Sequence, residues 1–301
     1  MKTGAIPALA RTICLALGSL PLAFAQPGPT PQVAELSQQG AAASRAGRFA
    51  EAAATYRRLI ALDPATPHWQ MNLGLALQSL GQHREATAAL EQFVKRQPQP
   101  GPAHLVLGLS RLKLREFCPA VAPLEKARQW DAARSTLELA DAYQGCRRWE
   151  PAARTYLAAL KFRPGDAAIV RQAAHCFWQA RLYTEARPHF ESQLPRYRGD
   201  AEFNYEFGDT LVRLDGPEAG LEYLRTAVRA APKLLGARAE LGKALLETGS
   251  AAEALPHLEA AAVQDPALLL PLSRACRATG RVADADRYAA EYRQRVGQTK
   301  R

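Results

Sequence analysis

The segment "GRFAEAAATYRRLIALDP", residues 47–64, returns along the chain as "GQHREATAALEQFVKRQP" from Gly81, "RRWEPAARTYLAALKFRP" from Arg147 and "GSAAEALPHLEAAAVQDP" from Gly249. Aligned on one small residue per copy, the series runs Ala52, Ala86, Ala120, Ala152, Ala186, Gly220, Ala254 and Ala285, with spacings of 34, 34, 32, 34, 34, 34 and 31. A period of this length is the mark of stacked supersecondary units, each too small to bury its apolar face alone.

Each unit reads as two helices. Twelve residues before each marker stands a second small residue: Gly40, Gly74, Gly108, Ala140, Ala174, Gly208, Gly242 and Ser273. Small residues at this offset let two antiparallel helices approach closely where they cross. Four residues after each marker, one turn along the same face, come Tyr56, Leu90, Leu124, Tyr156, Phe190, Leu224, Leu258 and Ala289 to fill the space beside the crossing. Pro64, Pro98, Pro164, Pro232 and Pro266 close five of the pairs, because proline lacks the amide hydrogen that would continue a helix. Ala, Leu, Arg and Glu dominate and β-branched runs are scarce, which favours helix over strand. The 48% hydrophobic content can fill a sizeable core, and an all-α chain follows.

The period of 34, with small residues at the eighth and twentieth places, an aromatic or Leu at the twenty-fourth and Pro at the thirty-second, resembles the tetratricopeptide repeat family over residues 33–296. The resemblance implies a right-handed superhelical solenoid of about eight antiparallel helix pairs. It also implies that the first helices line a concave groove that holds peptide segments of other proteins. Three departures make irregular junctions expected: Ala132 stands where repeat three should have its closing proline, Arg198 does so in repeat five, and the last repeat is displaced by three residues. Pro188 and Pro256 fall inside second helices, near enough to the first turn to be tolerated there.

Ahead of the repeats, Lys2 and Arg11 precede the apolar stretch "TICLALGSLPLAF", and Ala23, Phe24 and Ala25 precede Gln26. Charge, a short apolar core and a small-x-small site read as a signal peptide over 1–25, cleaved after Ala25; an uncleaved membrane anchor is the alternative. Residues 26–32, "QPGPTPQ", read as a linker and 297–301 as a C-terminal tail. The expected location is therefore periplasmic or secreted, with membrane contact only if the signal segment is retained. Removing residues 1–25 takes away two basic residues and no acid, so the net charge falls from +10 to +8. Export exposes Cys118, Cys146, Cys176 and Cys276 to conditions that permit disulfides. Cys118 opens the second helix of repeat three and Cys146 ends the first helix of repeat four, which makes them the expected pair; Cys176 and Cys276, three repeats apart, are expected to remain thiols.

Catalytic and metal-binding signatures are not found. None of His68, His83, His104, His175, His189 and His257 forms an H-E-x-x-H motif or pairs with cysteine at ligand spacing. His189 and His257 hold equivalent places and read as solvent-side residues of the repeat. No nucleophile elbow, P-loop or dinucleotide-binding fingerprint occurs, so no enzyme, metal, cofactor or small-molecule substrate is expected.

If the family geometry holds, one stripe of each first helix faces the groove. Repeats two and three place Met71, Leu75, Leu105, Leu109 and Leu112 there, whereas later repeats place Asp141, Arg171, His175, Trp178, Tyr205, Asp209 and Lys243. The Leu-rich tract is either a binding surface or packing between neighbouring first helices. Trp178 and Tyr205 beside charged groups have the character of interface anchors, or else are rings tucked between repeats. The fifth places carry no Lys–Asn pair of the kind some relatives use to grip a terminal carboxylate. The leading expectation is an exported interaction scaffold holding a partner's peptide segment. The alternative is a basic solenoid binding acidic polysaccharide, lipid headgroups or nucleic acid; it ranks second because the basic residues are interspersed with acids, and nucleic acid is not expected.

Overall fold

The computed structural model describes residues 30–98 and 101–299. The expected signal peptide and residues 26–29 of the expected linker lie outside the described residues. The linker's end needs correction, because Pro31 and Gln32 already form helix: Thr30 caps that helix through its hydroxyl, and Pro31 occupies its first turn, where a missing amide hydrogen costs nothing. The tail boundary at 297 also falls inside the last helix, which runs to Thr299.

Two compact units divide the chain, Met1–Arg163 and Pro164–Arg301. In the first, the described helices are α1 (Pro31–Arg45), α2 (Phe49–Leu62), α3 (His68–Ser79), α4 (His83–Arg96), α5 (Gly101–Lys113), α6 (Phe117–Trp130), α7 (Ala132–Gly145) and α8 (Trp149–Ala159). The second holds α9 (Ala167–Gln179), α10 (Tyr183–Tyr197), α11 (Ala201–Asp215), α12 (Pro217–Ala230), α13 (Leu235–Glu247), α14 (Ala251–Ala262), α15 (Leu269–Ala278) and α16 (Val282–Thr299). Successive helices pack on one another, giving four pairs in each unit, and no strand occurs among the described residues.

The crossing points explain why the small residues recur. In the first unit Ala52, Ala86, Ala120 and Ala152 are fully buried. A Cβ on Gly74 would lie 2.5 Å from Leu90 Cγ, and one on Gly108 would lie 2.5 Å from Leu124 Cγ. The eighth-place glycine is thus the socket for the twenty-fourth-place side chain. In the second unit Gly242 receives Leu258 in the same way, at 2.7 Å. At repeat six both crossing residues are glycine, and a Cβ on Gly220 would meet the Gly208 carbonyl oxygen at 2.4 Å. Ser273 replaces the glycine in the last pair, and its hydroxyl donates to the Ala285 carbonyl at 2.7 Å.

In seven of the eight pairs the turn takes one left-handed residue five places before the marker, and in the sixth pair Gly216, with φ of 101°, opens the second helix instead. Gly47, Gly81, Gly249 and Gly280 supply it with φ of 74°, 76°, 83° and 77°. Arg115, Arg147 and Arg181 occupy the same place with φ of 60°, 57° and 60°, a conformation disfavoured for residues that carry a Cβ.

The irregular junctions have local solutions. Only Asp131 separates α6 from α7, and its carboxylate caps α7 by accepting from the Arg134 amide at 3.2 Å. After α10 the side-chain amide of Asn204 closes the proline-free connection by donating to the carbonyls of Arg198 and Asp200 at 2.9 and 2.7 Å. The displaced last repeat begins with a short 3-10 turn, Pro266–Leu268. Pro188 and Pro256 lie deeper than expected, each the sixth residue of its helix. Each therefore removes one helical hydrogen bond, yet α10 and α14 continue past them. Pro123 in α6 likewise frees the Pro119 carbonyl, which accepts from the Arg111 guanidinium at 2.6 Å. Cys118 and Cys146 form a disulfide between α6 and the end of α7, with Cα atoms 4.9 Å apart, while Cys176 and Cys276 are buried thiols.

Candidate functional site

The first unit takes the Leu-rich tract into its core. Met71 and Leu75 are buried with Leu90, Phe93, Ala103, Val106 and Leu107, and Leu105 has no exposed surface. Packing therefore describes these three residues, and they are withdrawn from a ligand by their burial. Leu109 and Leu112 are half-buried. Asp141 is exposed and accepts from the Tyr156 hydroxyl at 2.6 Å.

In the second unit the expected groove residues come together on three successive first helices, α9, α11 and α13. Arg171 and His175, one turn apart on α9, converge on Glu206 of α11: Arg171 donates to Oε2 at 2.7 Å, and His175 Nδ1 lies 2.7 Å from Oε1. Glu206 is buried and Arg171 nearly so, which is tolerable only because the charges are paired and hydrogen-bonded. The Arg171 guanidinium also lies 5.5 Å above the Phe203 ring.

A second network continues from Trp178. Its indole N–H donates to Asp209 Oδ2 at 2.7 Å, and its ring meets Tyr205 edge-on with centroids 5.4 Å apart. Arg213 bridges two carboxylates, donating to Asp209 Oδ1 and to Glu240 Oε2, both at 3.1 Å, and Lys243 binds the other oxygen of Glu240. Tyr205 packs over Gly236, where a Cβ would lie 3.0 Å from its hydroxyl oxygen. Burial, reinforced by the negative charge of Asp209, Glu240 and Glu206, holds that hydroxyl far above the usual tyrosine range. Trp178, Tyr205 and Lys243 stay half-exposed while Asp209 is buried beneath them. Beside this wall opens a cavity of about 540 Å³ lined by Trp178, Gln179, Arg181, Tyr183, Asp209 and Arg213.

Profiles of the tetratricopeptide repeat match residues 39–110, 137–201 and 205–268, together more than half of the chain. The chain belongs to the tetratricopeptide repeat family. Among curated proteins it is similar to the Hsp70-Hsp90 organizing protein of Triticum aestivum, 36% identical over 110 residues, which is 36% of this chain and 19% of that protein. The match thus spans about a fifth of the relative's length. Among solved structures, YrrB, described as a TPR protein with an unusual peptide-binding site, is 23% identical with a TM-score of 0.48, the overlap covering 57% of this chain and 91% of YrrB. A MamA structure is 20% identical with a TM-score of 0.48, covering 56% of this chain and 94% of MamA.

In tetratricopeptide-repeat terms, the acids Glu206 and Glu240 stand at the sixth place of their repeats, where Glu138 and Gln172 precede them at the same spacing of 34. Reading the groove stripe alone misses them, along with Arg213, Arg181 and Tyr183; the recurrence at the sixth place was the available signal. His189 and His257 are not solvent-side either. They are half-buried, because their place on the second helix leans toward the first: His189 stacks flat on Phe177 with centroids 5.8 Å apart. Burial lowers the pKa of both imidazoles.

Proposed function

We propose that this tetratricopeptide-repeat protein is a non-enzymatic interaction scaffold of the cell envelope, holding a segment of another protein against the first-helix wall of its second unit. The observation that carries the reading is the continuous wall on α9, α11 and α13. There the half-exposed rings of Trp178 and Tyr205 meet edge-on, Trp178 is anchored by Asp209, and Arg171, His175 and Lys243 flank them. Asp209 fixes the Trp178 ring by hydrogen bond, and Trp178 and Gly236 fix the Tyr205 ring by packing; rings so fixed can bury apolar area on binding at low entropic cost, and their polar neighbours can orient a peptide backbone. Membership of a repeat family that binds protein segments supports the same class of function. The charge–apolar–cleavage grammar of residues 1–25 supports export.

Polyanion binding is the weaker reading for this wall. Arg171 faces Glu206, while Arg213 and Lys243 face Asp209 and Glu240, so most of its positive charge is already neutralised locally. Affinity capture from an envelope extract with residues 26–301 tests the proposal. Trp178→Ala is expected to lose the captured protein while circular dichroism still reports a folded helical chain, and Arg57→Glu, on the exposed face of α2, is expected to keep it. Capture that falls steeply with salt and ignores Trp178 would favour the polyanion reading.

A further inference from the structure

The cavity beside the wall has an unbalanced charge. Of its lining residues, Arg213 sits between Asp209 and Glu240, and Lys243 completes that group, so two cations meet two carboxylates. Arg181 is different: it is exposed, and no carboxylate of the described residues lies within ion-pair distance of it. The ring of Trp178 and the ring of Tyr183 line the same cavity. Its volume of about 540 Å³ has room for a pair of side chains.

Arg181 also holds its place against backbone preference. It adopts φ of 60° at the turn position where four other repeats carry glycine, and a Cβ is disfavoured in that conformation. Of the three arginines that stand at this place, Arg115, Arg147 and Arg181, Arg181 is the one that lines the cavity. Of the two other arginines at this place, Arg115 lies 5.5 Å over the Phe117 ring, whereas Arg181 projects beside an open cavity.

We propose that this cavity receives an acidic residue adjoining an aromatic one in the partner's peptide segment, the carboxylate pairing with Arg181 and the aromatic side chain lying against Trp178 and Tyr183. The chemistry is complementary on each count: an unpaired guanidinium binds a carboxylate bidentately, and ring faces prefer offset or edge-on aromatic neighbours. The inference rests on the scaffold reading and specifies what the wall selects.

Panning a random peptide display library on residues 26–301 tests it, with fluorescence anisotropy of the enriched peptides as readout. The expected enrichment is Asp or Glu next to Trp, Tyr or Phe, and Arg181→Gly should weaken binding of those peptides about tenfold or more. Misfolding would not explain that loss, because glycine relieves the turn and the thermal midpoint of Arg181→Gly should equal or exceed that of the parent. Arg115→Gly, the same backbone change away from the cavity, should bind as the parent does. Enriched peptides that lack an acid, or that bind Arg181→Gly undiminished while still requiring Trp178, would overturn this inference and leave the scaffold reading standing. No enrichment, or binding indifferent to both residues, would overturn both.

Discussion

Gly220 is the only glycine among the eight crossing markers; the other seven repeats carry alanine there. Averaging over repeats therefore recommends Gly220→Ala, and helix propensity agrees, since alanine gains about 1 kcal/mol over glycine inside a helix. The structure predicts the opposite outcome. A Cβ at this position would lie 2.4 Å from the Gly208 carbonyl oxygen and 2.4 Å from Val212 Cγ2, and the first of these obstacles is backbone that cannot rotate away. Overpacking of this kind costs about 1–3 kcal/mol, and separating α11 from α12 belongs at the upper end of that range. Set against the propensity gain, the net loss is about 1–2 kcal/mol. With a urea m-value of about 1–3 kcal/mol/M, the unfolding midpoint should fall by roughly 0.3–2 M. Urea titration followed by circular dichroism at the helical band measures it. An unchanged or higher midpoint at constant m would show that the two helices do not approach as closely as Gly208 and Gly220 imply.

Ala152→Leu should lose about 1–3 kcal/mol, because Ala152 is fully buried at its crossing, whereas Ala158→Leu on the exposed face of α8 should stay within about 0.5 kcal/mol; equal urea midpoints would refute the register. Thiol labelling of denatured residues 26–301 should count two thiols before reduction and four after, and reduction should destabilise the first unit by about 3–4 kcal/mol, given the 28-residue separation of Cys118 and Cys146. Burial lowers the pKa of His104, His189 and His257 below 6.5 in the folded chain. The unfolded chain therefore takes up their protons first, and stability should be level above about pH 7 and decline as pH falls through 6.5 and below. His189→Gln should flatten that decline in urea midpoints measured across the range, and a slope of the opposite sign would contradict it.

The helix pairs were legible because close crossing restricts side-chain volume: Ala52, Gly74 and Leu90 each report a steric demand that repeats every 34 residues. The wall of the second unit was partly legible for the same reason, since Arg171, Trp178 and Tyr205 share a helical stripe. What they touch was not. Glu206 meets Arg171 and His175 from the next repeat, and a template for one repeat carries no information about which neighbour a side chain reaches. The Leu-rich tract could not be resolved either, because Met71 and Leu105 have the same periodicity whether the stripe faces a ligand or another helix. Proline depth and the half-buried face of His189 depended on where each helix starts, which periodicity leaves uncertain by one or two residues.

The central claim is that a partner segment lies on the first helices of the second unit. Amide hydrogen exchange of residues 26–301, with and without the partner recovered by affinity capture, tests it most directly. Slowed exchange is expected to concentrate in α9, α11 and α13, above all around residues 171–178, 205–213 and 240–243. Protection confined to the second helices α10, α12 and α14, or to the first unit, would contradict it.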